Sequence, residues 1–238
     1  MSSRQFYDAY ASGYESYVRR HAGYLFAVEK AIIEVSNGRS DIALLDVGTG
    51  TGERLQRLVL ELLPNRVTAI DNSREMVALA RRNCPVADVR TLALGDPELS
   101  SAIPGGFDLV TCLSNVLGHV PRDLLVPGLR QIRSLLKPGG TFVLDVNNRY
   151  NAASYGGGRV ARNIIRDCVL PRGRSFTAAY QAGDEVLRTQ VHLFRPAEVI
   201  ALLRKSGFAS VRVGFRDYAT GEECGRFAGS IVAKAVRI

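Results

Sequence analysis

The stretch LLDVGTGTG, residues 44–52, decides the fold of this chain. Its apolar beginning, interrupted only by Asp46, is typical of a buried strand in a parallel sheet. Three glycines at alternate positions then allow a tight turn that brings backbone N–H groups against a ligand before a helix begins. The pattern predicts a nucleotide-type binding loop, and a purely structural turn is the alternative.

Asp46 indicates which ligand such a loop would hold. It lies two residues before the first glycine, where a carboxylate would repel a pyrophosphate. The same carboxylate would attract the ammonium and sulfonium groups of S-adenosylmethionine. The loop therefore favours S-adenosylmethionine over NAD.

The composition is that of one globular domain with a basic surface. With 238 residues and 46% hydrophobic content, we expect a single α/β domain over residues 1–238. The four cysteines are scattered and form no Cys-x-x-Cys pair, which argues against a disulfide framework or a zinc site. The formal net charge of +8 would attract anions, but it does not distinguish nucleic acid, an anionic small molecule and a plain solvated surface.

The sequence contains no stretch that is long and apolar enough to span a membrane. Its N-terminus lacks the cationic start and apolar core of a signal peptide. We therefore expect a cytoplasmic protein without a membrane partner.

Strand-like and helix-like segments alternate through the first two thirds of the chain. This alternation predicts a parallel sheet with helices on both faces. The predicted strands cover about 42–47, 66–71, 86–92, 107–113 and 141–146.

The last third differs in character. Residues 147–173 show little apolar periodicity, and Gly156-Gly157-Gly158 predicts a flexible joint. We expect residues 147–195 to form a substrate cap that includes a hairpin. The predicted elements are paired strands at 176–180 and 186–194, a helix at 196–206, and two final antiparallel strands at 210–215 and 230–236.

The N-terminal segment is unusually aromatic. Phe6, Tyr7, Tyr10, Tyr14 and Tyr17 follow one another mostly in steps of three and four residues, which predicts one helical face. We expect residues 1–37 to form a helical lid over a cleft.

Six motifs follow one another along the chain: LLDVGTGTG (44–52), VTAIDNSREMVALAR (67–81), LGDPE (94–98), FDLVTCLSNVLGHVP (107–121), LLKPGGTFVLDV (135–146) and HLFRPAEVIALLRKSGF (192–208). In order and spacing they together resemble the class I S-adenosylmethionine-dependent methyltransferases, and the resemblance covers about residues 7–238. Within that family the chain is most similar to the small-molecule branch of glycine and sugar-amine N-methyltransferases. The resemblance implies a three-layer fold whose seven strands follow the order 3-2-1-4-5-7-6, with the last strand antiparallel.

The resemblance also implies S-adenosylmethionine as the cofactor and a set of residues that bind it. Asp46 would attract the ammonium group, Asp71 would accept both ribose hydroxyls, and Asp96 would bind the adenine amino group. The candidate cofactor residues are Tyr14, Asp46, Gly48, Thr49, Gly50, Gly52, Asp71, Asn72, Met76, Gly95, Asp96, Pro97, Leu113, Ser114 and Asn115.

Three residues are candidates for catalysis. His119 follows the fourth strand, where methyl group and acceptor should meet, and it would orient the acceptor or remove its proton. Tyr7 and Tyr14 would close over the cofactor from the lid. For each residue, packing is the alternative. In-line displacement of an already activated methyl group depends mainly on positioning, so a dedicated base is dispensable for an amine.

We expect no metal. A metal-dependent subgroup of the family uses an acidic residue after the fourth strand and an adjacent Asp-Asn pair after the fifth. Here the first position reads Ser114-Asn115 and the second reads Asp145-Val146-Asn147-Asn148. Oxygen ligands from Asp145, Asn147 and Asn148 are the alternative.

The cap provides the candidates for acceptor binding. The spacing of Arg159, Arg162 and Arg166 would place three guanidinium groups on one helical face, which suits phosphate or carboxylate. A solvated arginine-rich surface is the alternative. The candidate substrate residues are His119, Asn147, Arg149, Arg162 and Arg166.

Together these features predict methyl transfer to N or O of a small molecule, with an anionic acceptor as one hypothesis. An RNA methyltransferase and a non-catalytic S-adenosylmethionine-binding subunit are the alternatives, and a dehydrogenase is the least favoured. We do not expect nucleic acid as a partner, and a homodimer is an open alternative.

Overall fold

The computed structural model describes residues 2–11, 21–36, 41–169, 174–182 and 185–238. Within these ranges a seven-stranded sheet and a separate two-stranded hairpin are formed. No helix there has the length and apolar character needed to cross a membrane. The strands are β1 (Ala43–Val47), β2 (Arg66–Asp71), β3 (Asp88–Thr91), β4 (Phe107–Cys112), β5 (Leu136–Val146), β6 (Arg174–Ala182), β7 (Glu185–Leu193), β8 (Phe208–Arg216) and β9 (Ser230–Arg237).

The predicted sheet is confirmed. Its strands follow the order β3-β2-β1-β4-β5-β9-β8, which is 3-2-1-4-5-7-6 once the hairpin strands β6 and β7 are left out. The first five strands pair in parallel, whereas β9 lies antiparallel between β5 and β8. All five residues of β1 are buried at the centre of the sheet, so the opening motif lies where both faces are covered.

Helices cover both faces of this sheet. Because side chains alternate along a strand, Leu44 and Leu45 of β1 face opposite layers and belong to two separate apolar cores. The helices are α1 (Ser3–Tyr10), α2 (Ala22–Val35), α3 (Glu53–Leu62), α4 (Arg74–Asn83), α5 (Leu99–Ala102), α6 (Arg122–Leu135), α7 (Ala152–Tyr155), α8 (Gly157–Val169) and α9 (Pro196–Lys205), and a short 3₁₀ helix spans Val116–His119.

The lid region is described for α1 and α2. Helix α1 packs against α4 and against hairpin strand β7, and the Asp8 carboxylate accepts a 2.6 Å hydrogen bond from the Ser73 hydroxyl. The predicted lid residues Tyr14 and Tyr17 lie outside the described residues. Helix α1 thus lies beside the end of β2.

The cap contains more regular structure than its sequence predicts. The hairpin forms as predicted, with Arg174 paired to Leu193 and Ala182 to Glu185. The sequence analysis gives no helix bounds within 147–173, whereas helices α7 and α8 occupy 152–155 and 157–169. Helix α8 buries chiefly Val160 and Asp167.

Gly52 has a packing role. It caps α3 in the left-handed region, with φ of +80°, and a Cβ at this position would lie 2.7 Å from Cα of Ala80. Only glycine lets α3 and α4 approach this closely. The third glycine of the loop therefore sets the helix packing, whereas Gly48 and Gly50 lie at the cavity described below.

Replacing Gly52 with alanine should therefore destabilise the fold. Strain at positive φ and the clash with Ala80 should lower the free energy of unfolding by about 2 kcal/mol or more, measured by urea denaturation. The matched control is Gly157→Ala, because a Cβ at Gly157 meets nothing within 4 Å. Equal stability of the two variants would contradict this packing role.

Candidate active site

A cavity of about 270 Å³ opens at the carboxyl ends of β1, β2 and β4. This edge is where parallel α/β sheets bind their ligands, because loops diverge there and leave a crevice. The residues that line it are Ser3, Tyr7, Val47, Gly48, Gly50, Ile70, Asp71, Asn72, Met76, Leu92, Ala93, Leu94, Leu113, Ser114, Val116, His119, Val120, Pro121 and Leu124.

The glycine loop forms one wall of the cavity. The backbone N–H groups of Gly48 and Thr49 donate to the Ile70 carbonyl at 2.8 and 3.1 Å, which ties the loop to β2. Gly48 has φ of +73°, and a Cβ there would lie 2.3 Å from Cγ2 of Val116. Gly48 and Gly50 therefore line the cavity, whereas Thr49 and Gly52 do not.

Asp71 lies at the end of β2, beside this loop. Its carboxylate accepts 2.9 Å hydrogen bonds from the backbone N–H groups of Gly50 and Ser73. Burial raises its pKa, and these hydrogen bonds oppose the rise. Asp71 thus offers the cavity an oriented carboxylate, as its predicted role with a ribose requires.

An apolar wall continues from Asp71. Asn72 and Met76 line the cavity, and Leu92 and Leu94 join them from the loop after β3. The Met76 side chain is buried, and its backbone N–H donates to the capping hydroxyl of Ser73. These side chains form a surface on which a flat heterocycle can pack.

The adenine contact through Asp96 stays a prediction, and the structure shows a structural partner for this carboxylate. Gly95, Asp96 and Pro97 lie outside the cavity lining. The Asp96 carboxylate accepts a 2.9 Å hydrogen bond from the backbone N–H of Glu98, so it caps the turn before α5. An aspartate before a proline is also a common helix start, and Asp96 serves that structural purpose here.

Asp46 lies in β1, and its predicted attraction of the cofactor's ammonium group stays a prediction. Its side chain is fully buried and outside the cavity lining. The carboxylate accepts a 2.6 Å hydrogen bond from Thr111 and lies 3.2 Å from Nη2 of Arg54. Arg54 is itself buried and also donates to the Ser114 hydroxyl at 3.1 Å. The charge of Asp46 is thus neutralised by an arginine of α3 before any ligand enters.

The turn after β4 forms the far end of the cavity. Ser114 and Asn115 both have positive φ, 63° and 59°, a conformation that non-glycine residues adopt only when held. The buried carboxylate of Asp145 accepts from the Ser114 N–H and, at 2.9 Å, from the Tyr24 hydroxyl. Leu113 and Ser114 line the cavity, whereas Asn115 supports the turn by accepting from the Asn147 N–H.

His119 and Tyr7 meet at this end. Nε2 of His119 lies 3.0 Å from the Tyr7 hydroxyl, and both residues line the cavity. Burial lowers the pKa of His119 to about 4, so its ring is neutral near pH 7. The structure thus brings together the two catalytic candidates that it describes, one from the lid and one from the core; Tyr14, the third, lies outside the described residues.

The predicted substrate residues apart from His119 lie away from the cavity lining. Asn147 accepts a 2.6 Å hydrogen bond from the Tyr218 hydroxyl. The guanidinium of Arg149 is buried, with Nη2 2.6 Å from Oδ1 of Asp167, so Arg149 is not available to an anionic acceptor. Arg162 and Arg166 are exposed on α8.

Several residues of the site lack a clear sequence signal. Arg54 follows the glycine loop on an amphipathic helix and resembles a solvated residue there. Leu92 and Leu94 could have been inferred, because they follow β3 at the binding edge of the sheet. The contacts of Val116 with Gly48 and of Tyr24 with Asp145 join distant parts of the chain, and only the tertiary structure reveals them.

Removing the charge partner of Asp46 should destabilise the fold. Arg54→Met leaves a fully buried carboxylate without a cation, which should cost about 3–5 kcal/mol of unfolding free energy. In a double-mutant cycle, Arg54→Met with Asp46→Asn should lose clearly less than the sum of the single changes. The control is Arg74→Met, at an exposed position of α4. Additive effects would show that the pair is not coupled.

Protonation of His119 should oppose folding below neutral pH. Because its pKa falls from 6.5 to about 4 in the folded state, the unfolded chain binds a proton that the folded chain does not in this window. Stability is therefore lost as the pH falls from 6.5 towards 4, by up to about 1.4 kcal/mol per pH unit. Urea denaturation across this window should show a shallower loss for His119→Asn, and parallel curves would contradict the buried neutral ring.

Comparisons with known proteins indicate the family to which this chain belongs. A family profile described as a methyltransferase domain matches residues 44–140. A ubiquinone biosynthesis O-methyltransferase of Xanthomonas euvesicatoria pv. vesicatoria is 34% identical over 190 residues, covering 77% of this chain and 70% of that protein. A protein of the same name from Xanthomonas campestris pv. campestris is 41% identical over 114 residues, so that this chain spans only 45% of its length.

Solved structures agree at the level of the fold. The DhpI–SAM–HEP complex superposes with a TM-score of 0.71 at 24% identity, covering 97% of this chain and 94% of that chain. The magnesium protoporphyrin IX methyltransferase ChlM of Synechocystis PCC 6803 gives 0.63 at 19% identity, covering 99% and 97%. With the glycine loop, Asp71 and the sheet order in place, the chain belongs to the class I S-adenosylmethionine-dependent methyltransferases.

Proposed function

We propose that this protein transfers a methyl group from S-adenosylmethionine to N or O of a small molecule. One observation carries the proposal: the glycine loop, Asp71 and the Tyr7–His119 pair all line one cavity. A cofactor that reaches from Asp71 past the glycine loop would present its sulfonium end towards that pair.

The residues present fit this cofactor. Gly48 and Gly50 leave the loop wall without side chains, so backbone can approach a ligand closely. Asp71 supplies a fixed acceptor for hydroxyl groups, and Met76 lies on the apolar wall that would take the base. When bound, S-adenosylmethionine supplies an electrophilic methyl group, so the protein need only hold and orient an acceptor.

His119 is better suited to orient an acceptor than to deprotonate it. A general base works best when its pKa lies near the operating pH, whereas burial places that of His119 at about 4. Its neutral ring and the Tyr7 hydroxyl are positioned to hydrogen-bond an incoming amine or hydroxyl. Tyr7 also closes the cavity from the lid side and so keeps water from the transfer step.

An acceptor of small size suits this site. The described cavity is a crevice under α1, with Val116, Val120 and Leu124 forming much of its far wall. The relatives named ubiquinone biosynthesis O-methyltransferase support a small-molecule acceptor as well. We further propose a cytoplasmic location and leave the homodimer as a prediction. The described cavity lining contains no arginine or lysine, so the hypothesis of an anionic acceptor rests on the exposed arginines of α8.

A labelling experiment tests the proposal. The protein is incubated with methyl-labelled S-adenosylmethionine in two separate reactions, one with the small-molecule fraction and one with the RNA fraction of a bacterial extract. Label should enter the small-molecule fraction. His119→Asn and Tyr7→Phe should each lower the rate about 10-fold, the scale of a lost orienting hydrogen bond of roughly 1.4 kcal/mol.

Two readouts separate the alternatives. Binding of S-adenosylhomocysteine, measured by calorimetry, should change little in Tyr7→Phe but be lost in Asp71→Ala. Binding without transfer to either fraction would favour the non-catalytic subunit, and labelled RNA would favour the RNA methyltransferase. A rate loss of about 10²–10⁴ in His119→Asn would instead identify His119 as a general base.

A further inference from the structure

Helix α8 presents an unusual face to solvent. Ile165 and Val169 are 69% and 74% exposed, although both are large apolar residues. Together with exposed Ala161 they form a stripe at steps of four residues. Large apolar side chains that share one solvent-facing stripe commonly mark a contact surface.

A second stripe runs beside the first. Arg159, Arg162 and Arg166 are exposed on the same helix, at steps of three and four residues. Arg162 lies three residues before Ile165, and Arg166 lies three residues before Val169. At that spacing the side chains are neighbours on a helix surface, so the cationic stripe flanks the apolar one.

The one acidic residue of α8, Asp167, does not lie on this exposed face. Asp167 is buried on the opposite side of the helix, where it accepts from the Tyr150 hydroxyl at 2.9 Å and pairs with buried Arg149. The exposed face of α8 therefore carries three positive charges, and Asp167, the one acidic residue of the helix, is buried away from them.

We propose that α8 docks on the surface of an anionic lipid bilayer, with Ile165 and Val169 entering the headgroup region and the arginines pairing with lipid phosphates. A helix with one apolar stripe beside a cationic stripe lies in the membrane interface in this way. Nucleic acid would satisfy the arginines but leave the apolar stripe in water. A small anionic acceptor is disfavoured because no residue of α8 lines the described cavity. This contact is peripheral and differs from the sequence-based expectation of no membrane partner.

Vesicle co-sedimentation tests the proposal. The full chain should bind vesicles of phosphatidylcholine and phosphatidylglycerol in equal parts, bind pure phosphatidylcholine vesicles far less, and be released by about 0.5 M NaCl. Replacing Arg159, Arg162 and Arg166 with glutamine should weaken binding at least about 10-fold. Ile165→Ser with Val169→Ser should also release the protein, while its affinity for S-adenosylhomocysteine stays unchanged.

A matched control removes the same charge elsewhere. Arg82, Arg130 and Arg204 are exposed outside α8, and their replacement with glutamine lowers the net charge equally. If this control loses as much vesicle binding as the α8 variant, the effect is bulk charge and the proposal is overturned. It is also overturned if single-stranded RNA binds through α8 while vesicles do not, or if the serine variant alters only the oligomeric state seen by sedimentation.

Discussion

Three carboxylates are buried at the carboxyl edge of the sheet, and the loops of the site are arranged to satisfy them. Asp46 on β1, Asp71 on β2 and Asp145 on β5 are each at most 9% exposed. Taking a carboxylate out of water costs several kcal/mol unless it is paired and hydrogen-bonded. Each carboxylate therefore fixes the chain segment that provides its partners.

The three carboxylates have different partners, so each holds a different segment of the chain. Asp46 is neutralised by Arg54 and Thr111, Asp71 is held by backbone N–H groups of the glycine loop and the α4 cap, and Asp145 holds the left-handed turn at Ser114. The glycine loop and the Ser114 turn both line the cavity. The shape of the ligand site thus depends on buried electrostatics that no ligand needs to touch.

Helices α1 and α8 are also attached to the rest of the fold through polar contacts. Helix α1 is anchored through Asp8 to the Ser73 hydroxyl and through Tyr7 to His119. Helix α8 buries little apolar surface and is held through the Arg149–Asp167 pair. Since a few polar contacts hold these elements, they can differ among relatives while the sheet stays the same.

The sequence by itself determined the alternation of strands and helices, the hairpin, the glycine loop and the positions of Asp71, Tyr7 and His119. These features rest on local periodicity, on glycine chemistry and on the ends of predicted strands, and each depends on neighbouring residues. The sheet order followed from the resemblance of the motifs to a known family. Only the tertiary structure decided which groups pair inside the fold. Asp46, Asp96 and Arg149 all have a residue type that suits a ligand, and the fold pairs them with Arg54, the backbone N–H of Glu98 and Asp167 respectively. A buried charge takes its partner from whatever packs against it, and that partner is a property of the folded chain.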